Sequence, residues 1–162
     1  YLLGPGWVGG VGVVNVIGGN YTAYLQPGAA QNTSISQTGT IPSDAESLTF
    51  KLWQPGFAKP ILVSFAGDTL SPVLLGAGTS PSGQAYTLYG VDVAPFANQT
   101  GALEFTAQAN GFNTALLDDI SFSTTVVPEP SALILTGIAG ATFACYWRRV
   151  FRKSCHLGSV RS

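Results

Sequence analysis

Charge is what this chain has least of. Only 9% of its 162 residues are Asp, Glu, Lys or Arg, against roughly a quarter in an ordinary soluble protein. The first 127 residues hold two basic side chains, Lys51 and Lys59, against seven acids: Asp44, Glu46, Asp68, Asp92, Glu104, Asp118 and Asp119. Such a body cannot neutralise a phosphate backbone, which excludes nucleic acid as a partner. Methionine is absent altogether, the first position included, so the chain is expected to be processed or to lack its true start. The two cysteines, Cys145 and Cys155, both lie beyond residue 127, and no disulfide framework can staple the body. The single histidine, His156, lies there too. The body therefore has no Ser/His/Asp or Cys/His arrangement, and its scattered acids form no glycosidase motif, so the expectation is a protein that is not an enzyme.

What the chain does have is turn formers and alternation. Gly at 20 and Pro at 10 punctuate short runs of period two, the pattern of an all-β domain. "SLTFKLW" (47–53) sets Leu48, Phe50 and Leu52 against Thr49, Lys51 and Trp53. Further strands are expected at 11–17, 21–26, 33–38, 60–67, 69–76, 85–93, 102–109 and 115–123, about nine in all at a spacing of roughly 8 to 12 residues. That spacing predicts a sandwich or barrel built by one domain. Pro72 cannot donate to a ladder, so the 69–76 run is expected to be an edge, a bulge or two short strands.

The run "LLDDISF" (116–122) carries the most chemistry in the body. Uninterrupted alternation places Leu116, Asp118, Ile120 and Phe122 on one face and Leu117, Asp119 and Ser121 on the other. If Ile120 and Phe122 enter the core, Asp118 enters with them. A carboxylate there must be paired, hydrogen-bonded or bound to a metal.

In chain order, "GPGW", "YTAYLQPG", "SISQTGTIP", "SLTFKLW", "LEFTA" and "LLDDISF" together resemble the galactose-binding-like jelly-roll domains, relatives of β-sandwich carbohydrate-binding modules, over about residues 4–124. The resemblance implies a jelly-roll β-sandwich over 1–124. It also implies a candidate structural calcium held by Asp118. The alternative for Asp118 is a cap on loop amides or a place near solvent at the strand end, because a hard cation wants six or more oxygens.

The end of the chain differs in kind from the body. Pro128-Glu129-Pro130 closes a linker over 125–130, expected to stay extended and open to proteases. Residues 131–147 follow without one charge, long enough as a helix to reach about 25 Å, near the lower limit for a membrane span. Arg148, Arg149, Arg152 and Lys153 then open a basic tail over 148–162 and predict a cytoplasmic end, with the body outside. The three parts in this order resemble the PEP-CTERM sorting signal, an ending also known under an ice-binding-protein name. The chain shows no regular threonine array to support ice binding. The resemblance implies recognition by an exosortase-type transpeptidase that cuts near Pro-Glu-Pro, in a Gram-negative envelope rich in extracellular polysaccharide. A hydrophobic tail discarded after sorting follows the logic of other C-terminal anchor signals.

Sugars stack on aromatic faces, and Trp53, Tyr86 and Tyr89 are the candidate ligand-binding residues. The expected function is an exported surface or matrix protein whose sandwich binds a glycan. A structural biofilm or envelope protein with no defined ligand is the alternative.

Overall fold

The computed structural model describes residues 2–4, 8–9, 12–13, 15–56, 58–109 and 114–128. Within them the chain is all-β, in twelve strands and one 3-10 turn, Ala94–Phe96. The strands are β1 (Leu2–Leu3), β2 (Val8–Gly9), β3 (Gly12–Val13), β4 (Thr22–Leu25), β5 (Thr33–Thr40), β6 (Ser47–Trp53), β7 (Leu62–Phe65), β8 (Asp68–Leu70), β9 (Val73–Thr79), β10 (Ala85–Asp92), β11 (Thr100–Ala107) and β12 (Ala115–Ser123). A six-stranded sheet runs in the order β1-β4-β12-β6-β10-β9, and a four-stranded sheet in the order β5-β11-β7-β8. Every pairing is antiparallel, and β2 with β3 forms a separate hairpin.

Alternation explains why these runs close on one another. In β6, Leu48, Phe50 and Leu52 are buried while Thr49, Lys51 and Trp53 stay half-exposed. The buried set joins Leu25, Val91 and Leu117 from the same sheet and Val63, Phe65, Leu70, Phe105 and Ala107 from the other, so one core fills the space between two sheets. Phe50 meets Phe105 across that space edge to face, with ring centroids 5.1 Å apart. Burying each such side chain contributes about 1.5–3 kcal/mol.

The structure corrects several expectations. The 69–76 run, as the proline allowed, divides at Ser71 and Pro72 into β8 and β9, each at the edge of its sheet. Among the described residues of 11–17, Gly12 and Val13 are in a strand; Val16 and Ile17 are buried in a segment that crosses the outside of the six-stranded sheet. The alternation through "LLDDISF" breaks. On β12, Asp118 stands opposite Lys51 and Ser121 opposite Thr49, so one extra residue bulges out between them, with Asp119 at φ 50°. A bulge reverses which side the following residues face. Leu117 therefore packs in the core, while Ile120 and Phe122 turn back toward the space between the sheets. Asp118 does not follow them inward and faces the outside of the sheet with Leu116.

The first compact unit runs to Val127. Among the described residues no helix is long and apolar enough to cross a membrane. Residues 131–147 and the basic tail lie outside those described, as do Glu129 and Pro130.

Candidate functional site

The outer face of the six-stranded sheet gathers two of the three expected ligand aromatics. Pairing aligns Tyr24, Leu116 and Trp53 across β4, β12 and β6. Tyr86 stands one step beyond the Thr87–Leu52 pair, beside Trp53, and opposite Gly78 of β9. A Cβ on Gly78 would lie 2.7 Å from the Tyr86 hydroxyl oxygen, so only glycine lets the ring lie down on the neighbouring strand. Ile17 covers the cluster, with Trp53 and Tyr86 packed half-buried at its margin. Tyr89 is on the other face: its ring stacks on Phe50, 5.7 Å between centroids, and borders a small hollow of about 120 Å³ with Ile61 and Pro72.

Charge sits in the next row. Lys51 lies opposite Asp118 and Leu88, with its Nζ 4.8 Å from the centre of the Tyr86 ring and 2.6 Å from Asp119 Oδ2. The Asp119 carboxylate, by its hydrogen bond first and its charge second, holds the Lys51 ammonium above the ordinary lysine range against the opposing effect of burial; Tyr86 and Asp118 add in the same direction. The bulge puts Asp119 in reach, because without the extra residue its side chain would face the core.

Asp118 is a clamp. Its Oδ2 accepts hydrogen bonds from the Gly18 amide at 2.8 Å and the Thr22 hydroxyl at 2.6 Å, and its Oδ1 accepts one from the Asp119 amide at 2.8 Å. Thr22 in turn accepts the Ile17 amide at 2.8 Å. At the far end of the same segment, Ser80 and Ser82 donate to the Val16 carbonyl at 3.0 and 2.6 Å, and the Asn15 amide donates to Gln84 Oε1 at 3.0 Å. Residues 15–22 are thus strapped across the sheet from the β9–β10 turn to β12. Oδ2 of Asp118 serves that strap and Oδ1 caps the Asp119 amide beside it, so both oxygens are acceptors for the backbone or side chains around them. No cluster of three or more His, Cys, Asp or Glu able to hold a metal occurs among the described residues.

A second strap closes the body. After β12 the chain turns back over β6, where the Ser47 hydroxyl donates to the Thr125 carbonyl at 2.7 Å. Val127, 5% exposed, then packs over Gly90 of β10: a Cβ there would lie 2.8 Å from Val127 Cγ2 and 2.9 Å from Leu75 Cδ1. Of the expected exposed joint, Val126 and Pro128 are open but Val127 is not.

A larger hollow lies elsewhere, between the sheets. It measures about 390 Å³ and is bordered by Ile35 and Gln37 of β5, Leu103 of β11, Phe65 of β7, and Ile120 and Phe122 of β12, with no charged side chain in its lining. It opens because β4 reaches only Ala115–Leu117 of β12, leaving the second half of β12 without a neighbour on that side among the described residues. Sequence reasoning missed this cleft and the roles of Lys51, Asp119 and Thr22. The signal was present: inward apolar residues fall at 115 and 117 and then at 120 and 122, and a change from odd to even within one strand requires an extra residue.

No family model, curated protein or solved structure is significantly similar to this chain.

Proposed function

We propose that the chain is an exported cell-surface or matrix protein of the PEP-CTERM kind, handed to an exosortase-type transpeptidase by its C-terminal signal, with a β-sandwich body that binds a glycan. The observation that carries the sorting half is the sequence order Pro128-Glu129-Pro130, an uncharged run over 131–147, and Arg148, Arg149, Arg152 and Lys153. The body supports it by ending its packed structure at Val127, with Pro128 exposed directly after. Strands β4-β12-β6-β10 facing β5-β11-β7-β8 follow the interleaved order of a jelly roll, which we take as the finer fold.

For the glycan half, Trp53 and Tyr86 offer apolar faces beside the Lys51–Asp119 pair, which supplies a donor and an acceptor for sugar hydroxyls. Tyr89, stacked on Phe50, is left out of this site.

The test is the intact mass of the protein recovered from cells expressing a C-terminally tagged chain and its Glu129→Ala version. Loss of everything beyond the Pro-Glu-Pro region in the parent alone supports the sorting reading; a tail kept in both makes the ending a plain membrane anchor. A glycan array with the parent and Trp53→Ala and Tyr86→Ala chains tests the body. An array on which the parent binds nothing favours the ligand-free structural protein.

A further inference from the structure

Among the described residues the two sheets end in four strand edges, and three of them are guarded. β1 has only two residues. β8 has three, begins with the exposed Asp68, and follows a tight Ala66-Gly67 turn. β9 starts directly after Pro72, and an extra residue at Leu75 breaks its register with β10. Shortness, charge, proline and bulges are the devices by which sheet edges avoid pairing with other chains.

β5 has none of them. It runs eight residues, Thr33–Thr40, in unbroken register with β11 from Thr33↔Ala107 to Thr40↔Thr100. It contains no charge and no proline, and seven of its eight residues are exposed. Among the described residues nothing pairs with its other side, so a row of backbone N–H and C=O groups faces outward. Beside it, Ile35, Ile120 and Phe122 remain 40%, 43% and 41% exposed.

From this edge we propose that β5 pairs antiparallel with β5 of a second copy of the chain, joining two four-stranded sheets into one of eight across a two-fold axis. Antiparallel self-pairing is the operation a two-fold supplies. A strand without charge brings no like charges face to face, whereas any charged residue near the axis would meet its own copy. Sheet continuity keeps Ile35, Gln37 and Gly39 on the inner side in both copies, which puts Gln37 close to its counterpart near the axis. The inference is independent of the sorting and glycan readings, since it uses neither the C-terminal signal nor the outer face of the larger sheet.

The experiment is sedimentation of the full chain in detergent, for the parent, Gln37→Lys, Gln37→Glu and an equimolar mixture of the two variants. The expected result is a dimer for the parent, at least a tenfold weaker association for each variant alone, and recovery on mixing as opposite charges meet. A monomeric parent, or a dimer indifferent to both variants, overturns the proposal, and so does a dimer lost in both and not recovered by mixing, which would put β5 against some other surface of the second copy. Amide exchange on the unaltered chain is a check that needs no variant. Exchange over residues 33–40 should slow as concentration rises while β8 and β9 stay unchanged, and equal behaviour at all three edges would sink the idea.

Discussion

The two sheets share one core but finish their outer faces in opposite ways. The six-stranded sheet is dressed: residues 15–22 lie strapped over Leu116 and Tyr24, residues 124–127 lie over Ser47 and Gly90, and the row of Lys51 and Asp118 runs between. The four-stranded sheet is exposed along β5, and its outer side carries short hydroxyl side chains that bond across strands, Ser34 to Thr106 at 2.8 Å and Thr40 to Thr100 at 2.7 Å, with Glu104 and the exposed Leu62 among them. The difference follows from side-chain size. Large apolar residues on an outer face need a cover, and the straps supply it; serine and threonine satisfy one another and need none. The straps and the Lys51–Asp119 pair therefore lie on one sheet, and the long open backbone edge on the other.

A substitution in the shared core should erase the contrast. Phe50→Ala removes the ring that touches both Phe105 and Tyr89, and a loss of about 3–5 kcal/mol is expected in urea unfolding. A loss below about 1 kcal/mol would show that the sheets do not depend on a common core. Asp118→Ala should instead separate the two. It strips the acceptor from Gly18 and Thr22, at a cost of about 2 kcal/mol. Amide exchange should speed up over residues 15–22 and stay unchanged over β5 and β11. Equal acceleration in both sheets would mean that the clamp supports the whole body rather than one face.

How far the sequence announced this arrangement depends on how local each cause is. β6 was legible because its alternation is a property of seven adjacent residues. The split at Pro72 was legible because proline's missing donor acts at its own position. The bulge was harder, since the change from odd to even in β12 is a signal only once it is known which of its residues face inward, and the pairing with β6 decides that. The straps were hidden: "NVIGGN" carries the composition of a strand and a turn, and only Ser80, Gln84, Thr22 and Asp118 hold it as a cover. Of the expected aromatic site, Trp53 and Tyr86 come together, and Tyr89 does not because it lies an odd number of residues along β10 from Tyr86 and so points to the opposite face. The cleft at Ile35, Ile120 and Phe122 depends on β4 stopping short, which no local pattern records.

Smaller perturbations sharpen the contrast within the dressed face. Gly90→Ala forces Val127 or Leu75 to move, because the added Cβ has less than 3 Å to each. Such overpacking costs about 1–2 kcal/mol. Limited proteolysis within residues 124–128 should accelerate several-fold with the rest of the body resistant, and an unchanged cleavage rate would show that Val127 is no fastening. Chelator and calcium should leave thermal melts superimposed if the amide clamp is the whole role of Asp118. A melt raised by calcium and lowered by chelator would give that carboxylate a metal after all.

The finest test concerns Lys51 and pH. Its ammonium titrates above the ordinary lysine range in the folded chain, chiefly through Asp119. A basic group whose folded pKa exceeds its unfolded one stabilises the fold below the unfolded value, and loses that contribution as pH climbs through the folded one. The pair is only partly covered, with side-chain exposures of 24% and 60%, so its worth is about 0.5 kcal/mol. Lys51→Met keeps the aliphatic stem on the Tyr86 ring and removes the charge. Near neutral pH it should lower the melting temperature by about 2 °C, and the gap from the parent should close as pH climbs above the ordinary lysine pKa and through the raised folded one. A gap that widens with pH would mean the lysine is held in its neutral form and that the ion pair with Asp119 does not order this row of the sheet.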